Sequence, residues 1–338
     1  MGNHSNNRYW LDVALLKNRL SLTADYFIKN TSDLLNKVII PSYNGGGIIN
    51  KNIGKVQNKG VDFTLSATPV LKNNLRWDAN VSFLYLKSKV VSLGIDTFLL
   101  GGNYAPGLTQ ESPFAIKVGE PLGTFWGYNW EGVYTSAEAA KAATYGFKPG
   151  DNKYRDWNND GVINSKDKHV IGNAQPKYIW GFNNSVTYKN FDLNLMFIAQ
   201  QGNKILNTVY ASSATVLTDF TSIAHNDGLD YWTVNNDNAK FANPLSSSSK
   251  NFIESTQFLE DASFVKIKNL SLGYSIKKSV AKIADLHLSL SVQNLATFTK
   301  YRGYDPEAST SIVDGDGAID VGAYPSARTF TIALKANF

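Results

Sequence analysis

The sequence ends in Arg328-Thr-Phe-Thr-Ile-Ala-Leu-Lys-Ala-Asn-Phe338, a stretch in which apolar and polar residues alternate. On an extended strand, one face then carries the apolar residues Phe330, Ile332, Leu334, Ala336 and Phe338. About 9–11 such residues, tilted, cross the hydrocarbon core of a bilayer. The stretch predicts a transmembrane β-strand, and Phe330, Ile332, Leu334 and Phe338 form a candidate assembly signal for a β-barrel. A soluble sandwich strand would alternate in the same way. Only recurrence of the pattern along the chain can therefore distinguish a membrane barrel from a soluble sandwich.

The same alternation recurs in pairs of segments that short polar turns join. The pairs are 9–15 with 20–28, 61–67 with 75–85, 180–188 with 191–199, and 264–276 with 286–292. Long connections separate them, from Asn30 to Gly60, from Lys87 to Tyr178, after Gln201 and after Asn294. Outer-membrane barrels combine short periplasmic turns with long extracellular loops in this way. We therefore predict an all-β fold, an antiparallel up-and-down transmembrane β-barrel fragment of about nine membrane strands, with a bulge near Lys268-Asn269.

The odd number of predicted strands bears on domain organisation, because single-chain bacterial barrels have an even number. Residues 1–7 also lack the basic and apolar regions of a secretory signal peptide. We therefore expect residues 1–338 to be the C-terminal segment of a larger barrel, without its plug domain and signal peptide.

Composition excludes several classes of protein. No stretch approaches about 18 uninterrupted apolar residues, which excludes a transmembrane helix. The absence of cysteine excludes disulfides and thiolate chemistry. The net charge of +5 is spread without a dense basic tract, so nucleic acid is not an expected partner. The four histidines are isolated, with neither an HExxH motif nor the spacing of a catalytic triad, and we predict that the chain is not an enzyme.

Several short motifs follow one another in collinear order over nearly the whole chain. They include Asn58-Lys59-Gly60-Val61-Asp62-Phe63, Gly119-Glu120-Pro121-Leu122-Gly123, Tyr188-Lys189-Asn190-Phe191-Asp192-Leu193 and Gly303-Tyr304-Asp305-Pro306-Glu307. The most specific is Gly150-Asp151-Asn-Lys-Tyr154-Arg-Asp156-Trp-Asn158-Asn-Asp160-Gly161-Val-Ile163. Together these motifs resemble the C-terminal third of the SusC/RagA-type TonB-dependent transporters of Gram-negative outer membranes.

The resemblance implies a location in the outer membrane and a barrel of about 22 strands with a plug in its lumen. It also implies uptake of oligosaccharides or oligopeptides, with a SusD-like surface lipoprotein as a partner. TonB would be contacted only through an N-terminal part that the sequence does not contain. The barrel assembly machinery is a further expected partner.

One motif has the spacing of a calcium-binding loop. Asp156, Asn158, Asp160, Val162, Asn164 and Asp167 occupy the ligand positions of an EF-hand loop, with Gly161 at the turn. Alternating oxygen ligands around a glycine turn suit calcium, with an affinity of about 10⁻⁴–10⁻³ M. Position 12 is Asp instead of the usual Glu, and Asp-Gly is also an ordinary tight-turn pair. Both interpretations of the motif, a calcium site and a metal-free turn, therefore remain open.

Aromatic residues in the long connections are candidate ligand contacts, namely Trp126, Tyr128, Trp130, Tyr231 and Trp232. Their rings could stack on a sugar or peptide ligand, or they could pack the loops or join the interfacial aromatic belt. These residues also support an alternative function, a secreted or surface all-β glycan-binding protein stabilised by calcium. A small stand-alone barrel enzyme is a third possibility, against which the odd strand count and the missing catalytic set argue.

Overall fold

The computed structural model describes residues 3–39, 48–94, 96–101, 112–214, 230–246, 250–281, 283–307 and 318–338. The first ten strands are β1 Asn3–Leu15, β2 Leu20–Ile39, β3 Ile48–Lys72, β4 Leu75–Ser92, β5 Phe98–Leu100, β6 Phe114–Lys117, β7 Thr124–Gly127, β8 Trp130–Val133, β9 Asn152–Tyr154 and β10 His169–Asn173. The other strands are β11 Tyr178–Tyr188, β12 Phe191–Gln201, β13 Lys204–Asn207, β14 Leu259–Asp261, β15 Phe264–Ile276, β16 Asp285–Thr299, β17 Ile319–Asp320 and β18 Thr329–Asn337. The helices are α1 Ala139–Thr144, α2 Thr208–Ala214 and α3 Lys278–Ala281, with 3₁₀ turns at Ser136–Glu138 and Ser165–Asp167.

Nine long strands form one antiparallel sheet in the order β1-β2-β3-β4-β11-β12-β15-β16-β18. Each long strand pairs with the long strand that follows it in the chain, as in the wall of an up-and-down barrel. Within the described ranges, β1 and β18 are the two edges and the sheet is open between them. The predicted fold class and the predicted nine strands are confirmed, as is the bulge, which lies between Ile267 and Asn269.

The two faces of this sheet differ in chemistry. On the face that we call outward, many apolar side chains are exposed: Tyr9, Leu11, Leu15, Tyr26, Val61, Tyr85, Tyr178, Tyr188, Phe191, Leu193, Leu272, Tyr274, Leu288, Leu290, Phe330, Ile332 and Leu334. Ile332 is 76% and Leu272 51% exposed. Soluble monomers rarely expose a contiguous apolar patch of more than a few hundred Å². The outward face therefore suits contact with lipid, while the inner face carries the alternate, mostly polar residues.

Two aromatic rows border the apolar band. The upper row, at the end where the long connections lie, includes Tyr26, Tyr85 and Tyr178, and the rings of Tyr85 and Tyr178 are 5.5 Å apart. The lower row includes Tyr188 and Phe191 at the short turn. β11 spans both rows with 11 residues. At about 3.3 Å per residue and a tilt of about 35–45°, it covers roughly 25 Å of height, which is the height of the apolar band of an outer-membrane barrel.

The long connection predicted from Asn30 to Gly60 is in part a continuation of the sheet. β2 and β3 continue above the upper aromatic row, and they remain paired up to Ile39 and Ile48. The pairing shifts register between Thr31 and Leu34, where Asp33 has a φ of 58°. Alternation in the sequence ends there because side chains above the membrane no longer need to alternate between lipid and lumen, whereas backbone pairing can continue.

The remaining described residues form a compact region above the sheet, which we call the loop body. It comprises the described residues between β4 and β11, between β12 and β15, and between β16 and β18. A core cluster joins all three segments, with Phe125 from the first, Leu206 and Phe258 from the second, and Ile319 from the third. No helix in the described ranges is long and apolar enough to cross a membrane. The loop body is therefore a packed unit, not a set of separate loops.

Candidate functional site

The inner face of the sheet carries a groove of about 500 Å³. Its lining is rich in small polar residues from neighbouring strands, including Ser21, Ser66, Asn80, Asn183, Ser185, Asn194 and Asn269. Asn80 donates a hydrogen bond of 2.7 Å to Ser66, and Thr68 donates one of 2.7 Å to Asp78. Amide and hydroxyl groups can bind sugar hydroxyls and peptide groups alike. No local sequence pattern indicates this groove, because its members belong to six different strands.

Two of the aromatic candidates are wrong as ligand contacts. Tyr128 is 3% exposed, and its ring stacks on that of Phe252 at 4.0 Å. Trp232 is 9% exposed and its indole N–H donates to Asp237 at 2.9 Å. Both rings form part of the core of the loop body, where a ligand cannot reach them.

The other three aromatic candidates are half-buried. Trp126 packs on Phe98 with ring centroids 4.9 Å apart, and the indole N–H of Trp130 donates to Asn152 at 3.0 Å. Tyr231 lies beside the cluster around Phe258, and burial raises the pKa of its hydroxyl. Each keeps some exposed surface, so a role in ligand binding stays a prediction for Trp126, Trp130 and Tyr231.

A more exposed aromatic platform was missed from the sequence. Trp157 is 46% exposed, and its ring stacks on His169 at 3.7 Å with an interplanar angle of 11°. The guanidinium carbon of Arg155 lies 4.8 Å from the indole centroid. Burial lowers the pKa of His169, so its ring is neutral at physiological pH. His169 follows Trp157 by twelve residues, a spacing that gives no indication of stacking.

The candidate calcium loop is held by hydrogen bonds from its own backbone. Asp156 accepts from the amides of Asp160 at 3.2 Å and Gly161 at 2.9 Å. Asp167 is fully buried, and its two oxygens accept from the amides of Trp157 at 2.9 Å and Asn164 at 2.8 Å. Across the described part of the chain, no three acidic or histidine side chains are grouped as metal ligands. The Asp167 carboxylate thus closes the loop by accepting hydrogen bonds from backbone amides of the loop. Calcium binding stays a prediction.

Calcium binding predicts a difference between two variants. If calcium binds, Asp160→Ala should abolish binding that wild type shows at about 10⁻⁴–10⁻³ M, because a carboxylate oxygen is lost. Asp237→Ala, on another part of the loop body, is the control and should bind as wild type does. Equilibrium dialysis with radioactive calcium on the full chain measures both. Equal binding by wild type and Asp160→Ala would show that the loop is a metal-free turn.

A buried ion pair joins the residue directly before β10 to the segment before β14. The Lys168 ammonium is 3.4 Å from the Glu254 carboxylate, and both side chains are 1% exposed. The carbonyl of Glu254 also accepts from the amide of Tyr128 at 3.0 Å. Gly127 permits this approach, since a Cβ there would come within 2.2 Å of the same carbonyl oxygen. Close backbone contact and a buried charge pair therefore lock β7 and β10 to the segment around residue 254.

A second ion pair fastens the last part of the loop body to the sheet. Lys266, on the inner face of β15, is 1% exposed and contacts Asp305 at 3.4 Å as well as Glu307. Asp305 also accepts from the amide of Glu307 at 3.0 Å and from the hydroxyl of Ser326. Burial by itself would raise the pKa of the Asp305 carboxyl, but the hydrogen bonds from Ser326 and Glu307 and the charge of Lys266 together hold it below its usual value.

This pKa predicts acid sensitivity of the attachment. A carboxyl with a lowered pKa in the folded state contributes stability above its unfolded pKa of about 3.9, and this contribution is lost as the pH falls through the folded value. We expect hydrogen-exchange protection of the Glu307 and Ser326 amides to be constant from about pH 7 to 5 and to fall below about pH 4. In Asp305→Asn, protection should be weaker and should fall less over this range, because the Asp305 carboxylate no longer accepts from these amides. An unchanged wild-type profile down to about pH 2 would contradict the prediction.

The candidate assembly residues lie on the edge strand β18 and beyond it. Phe330, Ile332 and Leu334 are 66%, 76% and 67% exposed on the outward face, and Phe338 is 91% exposed. This placement agrees with the alternation in the sequence. Their recognition by an assembly machinery stays a prediction.

The chain was compared with known proteins. A scan against protein-family models found no match. TonB-dependent receptor P3 of Formosa agariphila is 33% identical over 342 residues, covering 97% of this chain and 33% of the relative. TonB-dependent receptor SusC of Bacteroides thetaiotaomicron is 27% identical, covering 97% of this chain and 31% of the relative. Over nearly its whole length the chain is therefore similar to TonB-dependent receptors, SusC among them. It spans about a third of the length of the curated relatives that it matches.

A solved structure supports the fold of this chain. The RagAB peptide transporter superposes with a TM-score of 0.82 at 21% sequence identity, covering 100% of this chain and 35% of that one. At this identity the likeness concerns the fold alone, and it identifies the nine-stranded sheet as barrel wall. The chain is an outer-membrane protein. The relatives are named as receptors and transporters, not as enzymes.

Proposed function

We propose that this SusC-type chain forms barrel wall and extracellular loops of an outer-membrane importer of oligomeric nutrients, either oligosaccharides or oligopeptides. The observation that carries the proposal is the contrast between the two faces of one sheet. Exposed apolar side chains such as Leu272 and Ile332 cover the outward face, while the inner face offers the polar groove around Asn80 and Asn183. A wall that separates lipid from a polar path for a solute requires both faces.

The groove favours a neutral, hydrogen-bonding ligand. Serine and asparagine side chains dominate its lining, and its charged members are Arg19 and Asp78. Sugar hydroxyls and peptide amides both suit such a surface, which keeps both nutrient classes in the proposal. The Trp157 platform on the loop body adds a flat apolar surface on which a sugar ring or a peptide side chain can stack.

The similarity to SusC supports a proposal about partners. We propose a SusD-like surface lipoprotein above the loop body, the barrel assembly machinery during insertion, and TonB as the source of energy through a part of the receptor outside these residues. In this proposal the chain binds and conducts its ligand and carries no catalytic group. A secreted glycan-binding protein is not favoured, because exposed apolar residues such as Leu290 would then face water.

Uptake in whole cells tests the proposal. The gene is deleted and then restored as wild type or as Asn183→Ala/Asn194→Ala, which removes two amides from the groove. Labelled oligosaccharide and oligopeptide mixtures are offered separately. We expect deletion to abolish uptake of one class, and the groove variant to reduce it.

The matched control is Ser289→Ala/Thr331→Ala, which changes two polar residues of the inner face outside the groove. Its uptake should equal that of wild type. The amount of each protein in the outer membrane is measured in parallel. If deletion changes uptake of neither class although wild type is present in the outer membrane, the proposal is wrong.

A further inference from the structure

Four exposed lysines lie together just above the upper aromatic row, in the upper parts of β3 and β4. Lys59 and Lys87 are direct cross-strand partners, Lys89 is opposite Gln57, and Lys55 lies two residues farther along β3. We call Lys55, Lys59, Lys87 and Lys89 the lysine patch. The next pair below Lys59 and Lys87 is Val61 with Tyr85, so the patch is continuous with the apolar band.

Alternation along the strands places the patch on the outward face. Val56 and Val90 alternate with the lysines, and they are 8% and 1% exposed because the loop body packs over the inner face there. Successive side chains of a strand point to opposite faces. The four lysines are exposed and point away from the loop body, toward the side where lipid lies.

The patch lacks an internal counter-charge in the described ranges. No carboxylate there lies within 4.0 Å of any of its four ammonium groups. Directly opposite residues on neighbouring strands are about 5 Å apart at their Cβ atoms, and like charges at this distance destabilise a sheet. The pairing of Lys59 with Lys87 therefore creates a site that an external anion would stabilise.

A groove beside the patch provides space for a polar group. It has a volume of about 510 Å³, and Tyr85, Lys87, Lys177 and Tyr178 are among its lining residues, together with the carboxylate-bearing Glu120. Tyrosines that border an apolar band lie at the level of the lipid headgroups. Lysines one residue pair above them lie at the height of the lipid phosphates. Basic clusters next to a membrane span bind such phosphates.

We infer that the lysine patch binds the phosphate groups of an anionic lipid in the outer leaflet, with its acyl chains on the apolar band below. The inference depends on the orientation in the proposed function, with the loop body on the outside of the cell. It assigns these lysines to lipid and not to the nutrient, because they lie on the face of the sheet opposite the polar groove.

Lipid titration tests the inference on the full protein, purified from outer membranes and delipidated in detergent. Three probes are used: micelles doped with diphosphoryl lipid A, micelles doped with phosphatidylcholine, and inorganic phosphate alone. We expect wild type to bind the phosphorylated lipid most tightly. Lys59→Gln/Lys87→Gln should weaken this binding about tenfold or more, because each lysine near a charged lipid surface adds to the attraction.

The control is Lys72→Gln/Lys277→Gln, an equal loss of charge at the short-turn end of the sheet. Its binding should equal that of wild type, and resistance of each variant to unfolding in unheated detergent gels confirms that it is folded. Equal binding by wild type and Lys59→Gln/Lys87→Gln overturns the inference, as does equal binding of phosphatidylcholine. Binding of inorganic phosphate as tightly as of the lipid also overturns it. Nutrient uptake is measured separately, so a failed uptake experiment with intact lipid binding counts against the proposed function alone.

Discussion

Leu195→Arg is expected to prevent stable insertion of the protein into the outer membrane. Leu195 lies on the outward face of β12, paired with Asn184 and Leu270, midway between the two aromatic rows. Arginine on the lipid-facing side at the bilayer midplane destabilises a barrel by about 2–4 kcal/mol. The folded form should therefore be largely lost from outer-membrane fractions, as seen from the missing heat-modifiable band on unheated detergent gels.

The neighbouring Asn194→Arg is the control for this variant. Asn194 belongs to the same strand but points to the inner face, where it lines the polar groove. A solvated arginine is tolerated there, so Asn194→Arg should reach the membrane at the level of wild type. If both variants insert equally well, the assignment of the apolar face to lipid is wrong.

Lys168→Met should destabilise the loop body by about 3–5 kcal/mol, since it leaves the Glu254 carboxylate buried without its partner. Glu254 is poorly placed to compensate, because its Oε2 has no hydrogen-bond partner among the described residues. Urea unfolding of the full protein in detergent, followed by tryptophan fluorescence, measures the change. Trp126, Trp130 and Trp232 report on the loop body.

The double variant Lys168→Met/Glu254→Leu separates loss of the ion pair from loss of packing. Replacing both members of a buried pair by apolar residues is often neutral or stabilising. The double variant should therefore be close to wild type in its unfolding midpoint. Equal destabilisation of the single and the double variant would mean that Lys168 stabilises through its other contacts, such as the Tyr128 ring 5.2 Å away.

Within the membrane, the sequence predicted the structure well. Lipid on one side and a polar lumen on the other force side chains such as Phe330, Thr331 and Ile332 to alternate, and the alternation is visible in the sequence. The bulge at Lys268-Asn269 could be predicted for the same reason. The apolar alternation shifts there by one residue, and without a bulge this shift would place the following side chains on the opposite face of the sheet.

Above the membrane, the sequence predicted much less. The sequence has aromatic residues at the alternate positions Trp126, Tyr128 and Trp130, as on one face of a ligand-binding strand. Tyr128 is nevertheless buried, because Phe252, far away in the chain, stacks on it. The pairing of Lys168 with Glu254 likewise joins residues that no local pattern relates. Side chains in the loop body alternate or cluster according to contacts between distant segments, and such contacts are not periodic in the sequence.

The height of the apolar band bears on the choice of bilayer. β11 carries aromatic residues at both ends, and its 11 residues set the distance between the two rows. A band of roughly 25 Å is shorter than the hydrocarbon core of an average bilayer, which is about 30 Å, and each ångström of mismatch costs a fraction of a kcal/mol. The bacterial outer membrane is thinner than average. Hydrophobic matching therefore favours this barrel wall in thin membranes, and short-chain lipids are the natural medium for its reconstitution.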